Sequence, residues 1–409
     1  MEVFLVGGAV RDGLLGIEAT ERDYVVVGST PEEMLALNYR PVGKDFPVFL
    51  HPDTHEEYAL ARIERKKSPG YHGFEFQASR EVSLEEDLQR RDLTINAMAR
   101  RSDGLIIDPY GGRSDLEARL IRHVSPAFTE DPVRILRVAR FMARFRPLGF
   151  SVHPETMDLM RDMVKSGEVD ALVPERVFGE FHKALRESAP DAFILTLRAV
   201  GALERLFPEL DALFGVPQDR TFHPEIDCGL HVTMALAQCS RLTEDARARF
   251  AALVHDLGKT QTPESIWPNH PEHEVRGVER LVELGRRLRI PDAYMRLGKK
   301  VILHHEMAHQ AHDLTSEALL GLIENLDGFR QPEDLRGFLL ACKADARGRT
   351  GFERTPYPQA DLLDAALSVA RSVSTTPLLE KGLKGPALGS ALREARIAAI
   401  DQLRAKRNS

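Results

Sequence analysis

Leu5-Val6-Gly7-Gly8-Ala9-Val10-Arg11-Asp12, followed by Glu21-Arg22-Asp23-Tyr24-Val25-Val26-Val27, is the stretch on which the N-terminal fold turns. Val3 to Val6 is a short apolar run that stops at two glycines, and Tyr24 to Gly28 is a β-branched run, so both read as strands. A strand running into Gly7-Gly8 and then Val10-Arg11-Asp12 leaves free backbone N–H groups and a helix N-terminus, where a phosphate can dock. The glycines, Gly8 among them, let the backbone approach closely, and Arg11 adds a fork of donors. Taken alone, Gly-Gly after a strand is more often a tight turn.

Residues i and i+2 of an extended strand point to one side, so Glu21 and Asp23 would present two carboxylates about 6.5–7 Å apart. Two like charges held together require a nearby cation. Oxygen-only ligands on an open site favour Mg2+ bridging to substrate phosphates, the arrangement of two-metal phosphoryl transfer. The plainer reading is a solvated edge before a buried strand; the glycine turn a dozen residues upstream favours the metal.

Further along, Glu57 to Arg62 is a weaker strand, and Leu105 to Ile107 runs into Asp108-Pro109-Tyr110-Gly111-Gly112, a strong turn signal. From about residue 130, helical periodicity dominates, as in Val133 to Arg144, Ala192 to Leu206, Phe250 to Leu257 and Val275 to Leu288. The expected architecture is a multidomain one, α+β and then all-α, with breaks near Pro217 to Pro224 and Gln331-Pro332. The 409 residues, 43% hydrophobic and 29% charged, suffice for two or three cores. No apolar run reaches 18 residues, so no membrane span is expected. The start lacks a basic region and a cleavage site, so no signal peptide is expected. Cys228, Cys239 and Cys342 form no CxxC pair, which suits a reducing cytoplasm. A net charge of -7 weighs mildly against nucleic acid. Basic residues nevertheless cluster at Arg62 to Lys67, at Arg90-Arg91 and from Arg134 to Arg146, and local patches make phosphate contacts.

Glu130-Asp131-Pro132-Val133-Arg134 opens a helix, with Pro in the first turn. Arg134, Arg137, Arg140 and Arg144 fall within one arc of it, most simply a solvated basic face. In the C-terminal half, the adjacent His255-Asp256 pair at a helix end, stopped by Gly258, can chelate one divalent ion. His231 and Asp345 would complete the ligand set. Of His270, His273, His304, His305 and His309, most read as ordinary surface or core histidines; His305 is the first to add.

Gly7-Gly8 to Asp12, Arg22-Asp23-Tyr24 and Arg90-Arg91-Asp92-Leu93-Thr94-Ile95-Asn96-Ala97 together resemble the signature of the polymerase-β-like nucleotidyltransferases. Within that group they resemble the CCA-adding and bacterial poly(A) polymerase branch. The resemblance spans essentially the whole chain and is closest to CCA enzymes of gamma-proteobacterial type; the family's Asp-x-Asp is here Glu21-x-Asp23. It implies a nucleotidyltransferase head with a small mixed sheet (1–125), a helical neck and body (126–227), a helical HD phosphohydrolase domain (228–329) and a helical tail (330–409). It implies CTP and ATP as substrates, tRNA as partner, and Mg2+ on Glu21 and Asp23, with Glu57 a candidate third carboxylate. Arg91 would face the incoming triphosphate or sugar. Asp131 would accept from the exocyclic amine of cytosine or adenine, Arg134 would donate to the ring acceptors, and Arg137 and Arg140 would hold phosphates or sugar. The HD centre would hydrolyse phosphoesters (phosphatase, 2′-nucleotidase, 2′,3′-cyclic phosphodiesterase), often with Ni2+. The alternatives are a poly(A) polymerase and a non-catalytic RNA-binding protein on this scaffold, and the chain is open to acting as a monomer or a homodimer.

Overall fold

The protein is described here by a computed structural model covering residues 1–408 except 20, 43–47 and 67–73; the side chains of 64–66, 74–78 and 408 also lie outside it. Lys67 of the basic run therefore falls outside the described residues. The chain divides into two compact units, one comprising residues 1–180 and 196–206, the other 181–195 and 207–409.

The first unit begins with the expected mixed sheet. Its strands are β1 (Glu2–Val6), β2 (Asp23–Val27), β3 (Arg40–Val42), β4 (Val48–Leu50) and β5 (Glu57–Leu60). β6 (Arg62–Lys66) and β7 (Phe74–Ala78) pair with each other, and β8 (Ala99–Arg100) and β9 (Ile106–Ile107) close the main sheet in the order β3-β4-β5-β2-β1-β8-β9. The central strands are buried on both faces, which explains their nearly continuous apolar runs. Phe4, Val6 and Val25 pack on one side with Ala97 and Ala99, while Leu5 and Val26 serve cores on the other. β1 runs antiparallel to β2 and β2 parallel to β5, so Val6, Asp23 and Glu57 lie side by side in register.

β1 ends because Gly7 takes a positive φ of 68° and caps helix Gly8–Leu14. With no β1 partner beyond Val6, β2 begins at Asp23. Glu21 thus precedes the strand, contrary to the expectation that both acids share it.

Helix Val133–Phe145 follows the sheet, and its arginines are not a solvated face. Arg137 Nε donates to Asp92 Oδ2 at 2.7 Å, Arg140 Nε to Glu180 Oε2 at 2.7 Å and Arg144 Nη2 to Asp12 Oδ2 at 2.8 Å. Asp92 Oδ1 also accepts from Asn96 Nδ2 at 3.1 Å, and Asn96 Oδ1 accepts from Arg11 Nη1 at 2.5 Å. A buried polar chain therefore runs from the glycine turn through the Arg90–Ala97 motif to the neck helix. The expected Ala192–Leu206 helix is two, Asp191–Ala199 and Ala202–Leu206, because Gly201 sits at φ 79° between them.

The second unit is helical. Helices Cys228–Leu242, Ala246–Val254, Asp292–His309 and Pro332–Arg347 share a core built on Cys239, Ala251, Val301 and Phe338. Pro332 therefore opens a helix of that core. Helix Ala246–Val254 ends before His255, and Gly258 is no left-handed stop. A side chain at Gly258 would overlap the His273 carbonyl oxygen, so this glycine is required by close backbone approach.

Two outcomes follow. Burial pushes the Asp92 carboxyl up, but Arg137 and Asn96 outweigh it and hold it at about 2. Its folded pKa lies below the unfolded one, so its stabilisation is present above pH ~4 and is lost as pH falls towards ~2. Asp92→Asn should cost about 2 kcal/mol at pH 7, and the gap to the parent in urea unfolding should close on acidification; a gap unchanged down to pH ~2 contradicts this role. Gly258→Ala should cost about 1–3 kcal/mol by overpacking and lower the thermal midpoint by several degrees; an unshifted midpoint shows that the backbone there has room to spare.

Candidate functional site

Two clusters of chemistry-bearing residues stand out, one in each unit. In the first, the Val6–Asp23–Glu57 register gathers the glycine turn and two carboxylates at one end of three neighbouring strands. Desolvation and the nearby Glu21 hold the Asp23 carboxyl above its ordinary value, against the pull of Arg91. Two acids and one arginine thus lie close enough at this sheet end to influence one another's charge. Arg91 Nη2 donates to the buried Asp87 at 3.1 Å, and its Nη1 lies 3.1 Å from where a side chain on Gly7 would start. Gly7 therefore leaves space for a guanidinium as well as permitting the turn. Among the described residues, Arg91 Nε is buried without a hydrogen-bond partner.

Arg11, expected to offer donors to a ligand, is itself buried. Its Nε donates to Asp12 at 2.8 Å, its guanidinium lies 4.9 Å from the Phe145 ring centre, and its Nη2 approaches Gly8. It braces the turn from beneath. Asp131 sits at the start of the neck helix, where Oδ1 caps Val133 N at 3.1 Å. Arg176 grips the same carboxylate at two points, 3.2 and 2.7 Å. Arg134 is buried and donates to the carbonyls of Ala127 and Arg90 at 2.7 and 2.6 Å. Sequence reasoning missed Arg176 and Asp87. Arg176 is distant in sequence, and Asp87 looked like one more acid in a charged surface helix.

The second cluster is almost wholly buried. His231 Nε2 lies 3.3 Å from His255 Nε2 and 3.1 Å from Asp345 Oδ1; His255 Nε2 lies 3.3 Å from Asp256 Oδ2. The four residues expected from spacing do meet. Behind them, His231 Nδ1 lies 3.0 Å from Glu225, His255 Nδ1 donates to Ala252 O at 2.8 Å, and Asp345 Oδ2 is 2.6 Å from His309 Nε2. Tyr357 in turn contacts His309 Nδ1 at 2.9 Å. Each ring is thereby oriented through one nitrogen and presents the other, the usual arrangement behind a metal ligand. Lys259 Nζ, from the same turn, donates to Asp256 Oδ2 at 2.8 Å. Burial pushes the His231 imidazole down, yet Asp345 and Glu225 hold it up at about 9. A group of buried carboxylates around one lysine demands positive charge, and a divalent cation would satisfy it.

Of the five further histidines, His305 and His273 are buried beside Asp256, at 3.9 and 3.6 Å from its Oδ1. His309 backs Asp345, and His270 bonds the Pro217 carbonyl at 2.8 Å. His305 and His309 could have been paired from their spacing of four on one helix face. His273 had no such local signal.

Residues 3–122 match the poly A polymerase head domain, 149–214 a probable RNA- and SrmB-binding site of polymerase A, and 230–346 the HD domain. The HD match takes in Asp345. The chain is 61% identical to the multifunctional CCA protein of Methylococcus capsulatus, covering 100% of this chain and 96% of that protein. It is 58% identical to that of Alkalilimnicola ehrlichii (98% of each) and 54% to that of Pseudomonas aeruginosa (100% and 99%). Among solved structures, an apo CCA-adding enzyme superposes with a TM-score of 0.66 at 22% identity, covering 98% of this chain and 88% of the other. A Thermotoga maritima CCA-adding enzyme bound to tRNA gives 0.63 at 20%, covering 99% and 91%. At these identities the likeness concerns the fold. Identity over the full length of the relatives, with head and HD matches in order, shows that the chain belongs to the multifunctional CCA protein family.

Proposed function

We propose that this protein builds and repairs the 3′-terminal CCA of tRNA in the cytoplasm, transferring CMP and AMP from CTP and ATP with release of pyrophosphate. We also assign its HD centre as a hydrolytic site for phosphate esters, 2′,3′-cyclic phosphates among them. The functional segments are the head (1–125), neck and body (126–227), the HD domain, which runs from 228 past the expected end at 329 through helix Pro332–Arg347 and its Asp345, and the remaining tail. The observation that carries the first reading is the alignment of Gly7, Asp23 and Glu57 at one sheet end.

Glu21 and Asp23, with Glu57 alongside, are the residues assigned to Mg2+; this all-oxygen, solvent-reaching set suits a hard cation that keeps waters and phosphate ligands. Bound there, Mg2+ supplies charge that favours the 3′-oxyanion and the departing pyrophosphate. Gly7 N–H donates to the Met98 carbonyl at 3.3 Å, which leaves the Gly8 N–H and the start of its helix for the phosphates, with Arg91 beside them and Arg11 keeping the turn in shape. Asp131 and Arg134 read the base. Arg176 and Val133 N leave acceptor capacity on Asp131 Oδ2, which an exocyclic amine of cytosine or adenine can use. Uracil and guanine present a carbonyl there and leave an unpaired group, at a cost of about 1–3 kcal/mol. Arg137 and Arg140 hold sugar or phosphates, each oriented by its carboxylate partner.

In the HD centre, His231, His255, Asp256 and Asp345 are assigned to a divalent ion; imidazole with carboxylate suits Ni2+ and its neighbours. Such an ion supplies a water of lowered pKa as nucleophile. Lys259 offers fixed positive charge for a phosphoryl oxygen.

With trimmed tRNA, the protein should add CMP from CTP alone and complete CCA only with both triphosphates; AMP added to generic RNA would identify a poly(A) polymerase instead. Asp23→Ala should lower incorporation by at least ~1000-fold, as expected when a transition-state charge loses its counter-ion, while tRNA binding by filter assay stays within a few-fold; retained turnover contradicts the metal role. His255→Ala should abolish 2′,3′-cyclic phosphate hydrolysis and leave CCA addition intact; full hydrolysis by this variant overturns the HD assignment.

A further inference from the structure

Asp345-Ala346-Arg347-Gly348-Arg349-Thr350 carries the chain from the HD cluster out of the end of helix Pro332–Arg347. Both neighbours of Arg349 are anchored. A Cβ on Gly348 would lie 2.7 Å from the Ala235 backbone, so the chain there presses against helix Cys228–Leu242, which carries His231. Thr350 N donates to Glu225 Oε2 at 3.2 Å, and Glu225 Oε1 is 3.0 Å from His231 Nδ1. Backbone packing on one side and a hydrogen bond on the other thus fix where Arg349 leaves the chain.

Its guanidinium lies beside the ligand side of Asp345. Arg349 Nη2 is 3.7 Å from Asp345 Oδ1, the oxygen that also stands 3.1 Å from His231 Nε2 and 3.7 Å from His255 Nε2. An N–H···O hydrogen bond spans about 2.7–3.2 Å, so the guanidinium is near Asp345 without bonding it. Among the described residues this is its one ion pair, and its Nε is buried with no hydrogen-bond partner. The side chain is nevertheless 24% exposed, so it borders both the cluster and solvent. A rigid fork of five donors is held here with no acceptor at bonding distance among the described residues. Lys259 stands likewise beside the other carboxylate. Its Nζ donates to Asp256 Oδ2 at 2.8 Å and to Gln218 Oε1 at 2.6 Å, and an ammonium has a third N–H to give. Each carboxylate of the ligand set therefore has a cation next to it that keeps donors in reserve.

We propose that Arg349 contacts the substrate of the HD centre, binding a terminal oxygen of a phosphomonoester, and so determines how well the centre accepts phosphomonoesters relative to cyclic phosphates. The proposal rests on the hydrolytic reading of that centre. A phosphomonoester presents three terminal oxygens and carries close to two negative charges at pH 7. A 2′,3′-cyclic phosphodiester presents two such oxygens and carries one charge. Two oxygens fall to Lys259 and to the ion assigned to this centre. The third, found on the monoester alone, needs another donor, and arginine–phosphate hydrogen bonds are among the strong ones.

The test compares adenosine 2′-monophosphate with adenosine 2′,3′-cyclic monophosphate as substrates of the full chain with Ni2+. Arg349→Gln should lower kcat/KM for the monoester by about 10–100-fold, the worth of a hydrogen bond to a charged group, and for the cyclic diester far less. Inhibition by inorganic phosphate should weaken in proportion to the loss on the monoester. Arg349→Lys, which keeps the charge without the fork, should fall between parent and Arg349→Gln. Ni2+ affinity, measured by calorimetry on chains that also carry Glu21→Ala and Asp23→Ala, should be unchanged by either Arg349 variant. Equal losses on both substrates in both variants would make Arg349 a mere companion of Asp345 and overturn the proposal, as would undiminished hydrolysis of the monoester. A parent chain that hydrolyses neither substrate overturns the hydrolytic reading of the centre and the proposal with it.

Discussion

The turn at Gly7 is the constraint on which the head depends. A positive φ at that residue ends β1 at Val6, starts a helix at once, and thereby fixes where β2 must begin. Because β2 pairs with β1 on one side and β5 on the other, ending β1 there sets Asp23 and Glu57 abreast of the turn. A side chain at this position would be strained by its φ and would press on Arg91. One backbone torsion thus governs the turn's amides, the carboxylates and Arg91 together.

The neck helix is tied to this turn by charge. Arg144 holds Asp12, Arg137 holds Asp92, and Asn96 joins Asp92 to Arg11. These pairs lie in a partly buried setting where each group would be costly without its partner. The network therefore confers a unique arrangement more than surplus stability. It also gives the Arg90–Ala97 motif a physical meaning, since Asp92 and Asn96 connect the turn to the helix that begins at Asp131.

Much of this was legible in the sequence. Runs of β-branched residues ending at glycines marked β1 and β2, and the 3.6-residue period marked the neck and HD helices. His231, His255, Asp256 and Asp345 were found by spacing and do meet. What stayed hidden depended on tertiary partners. A helical wheel shows that Arg134, Arg137, Arg140 and Arg144 share an arc, but not that each is matched by a carboxylate or carbonyl. Gly258 looked like a helix stop because local pattern cannot reveal the His273 carbonyl pressed against it. His273 was passed over for the same reason. Glu21 was placed on the strand because nothing in residues 21–27 records that β1 has already ended.

The two centres differ in the donors each presents. The head presents exposed carboxylate oxygens, while the HD cluster presents buried imidazoles whose outer nitrogens are tied to carbonyls and a carboxylate. The head's geometry carries the main claim, and a crystal structure with CTP and Mn2+, the ions placed by anomalous scattering, tests it most directly. Manganese is expected on Glu21 and Asp23, with the triphosphate against the Gly8 amide and the start of its helix. Manganese and triphosphate bound together elsewhere, with that crevice holding neither, would contradict it.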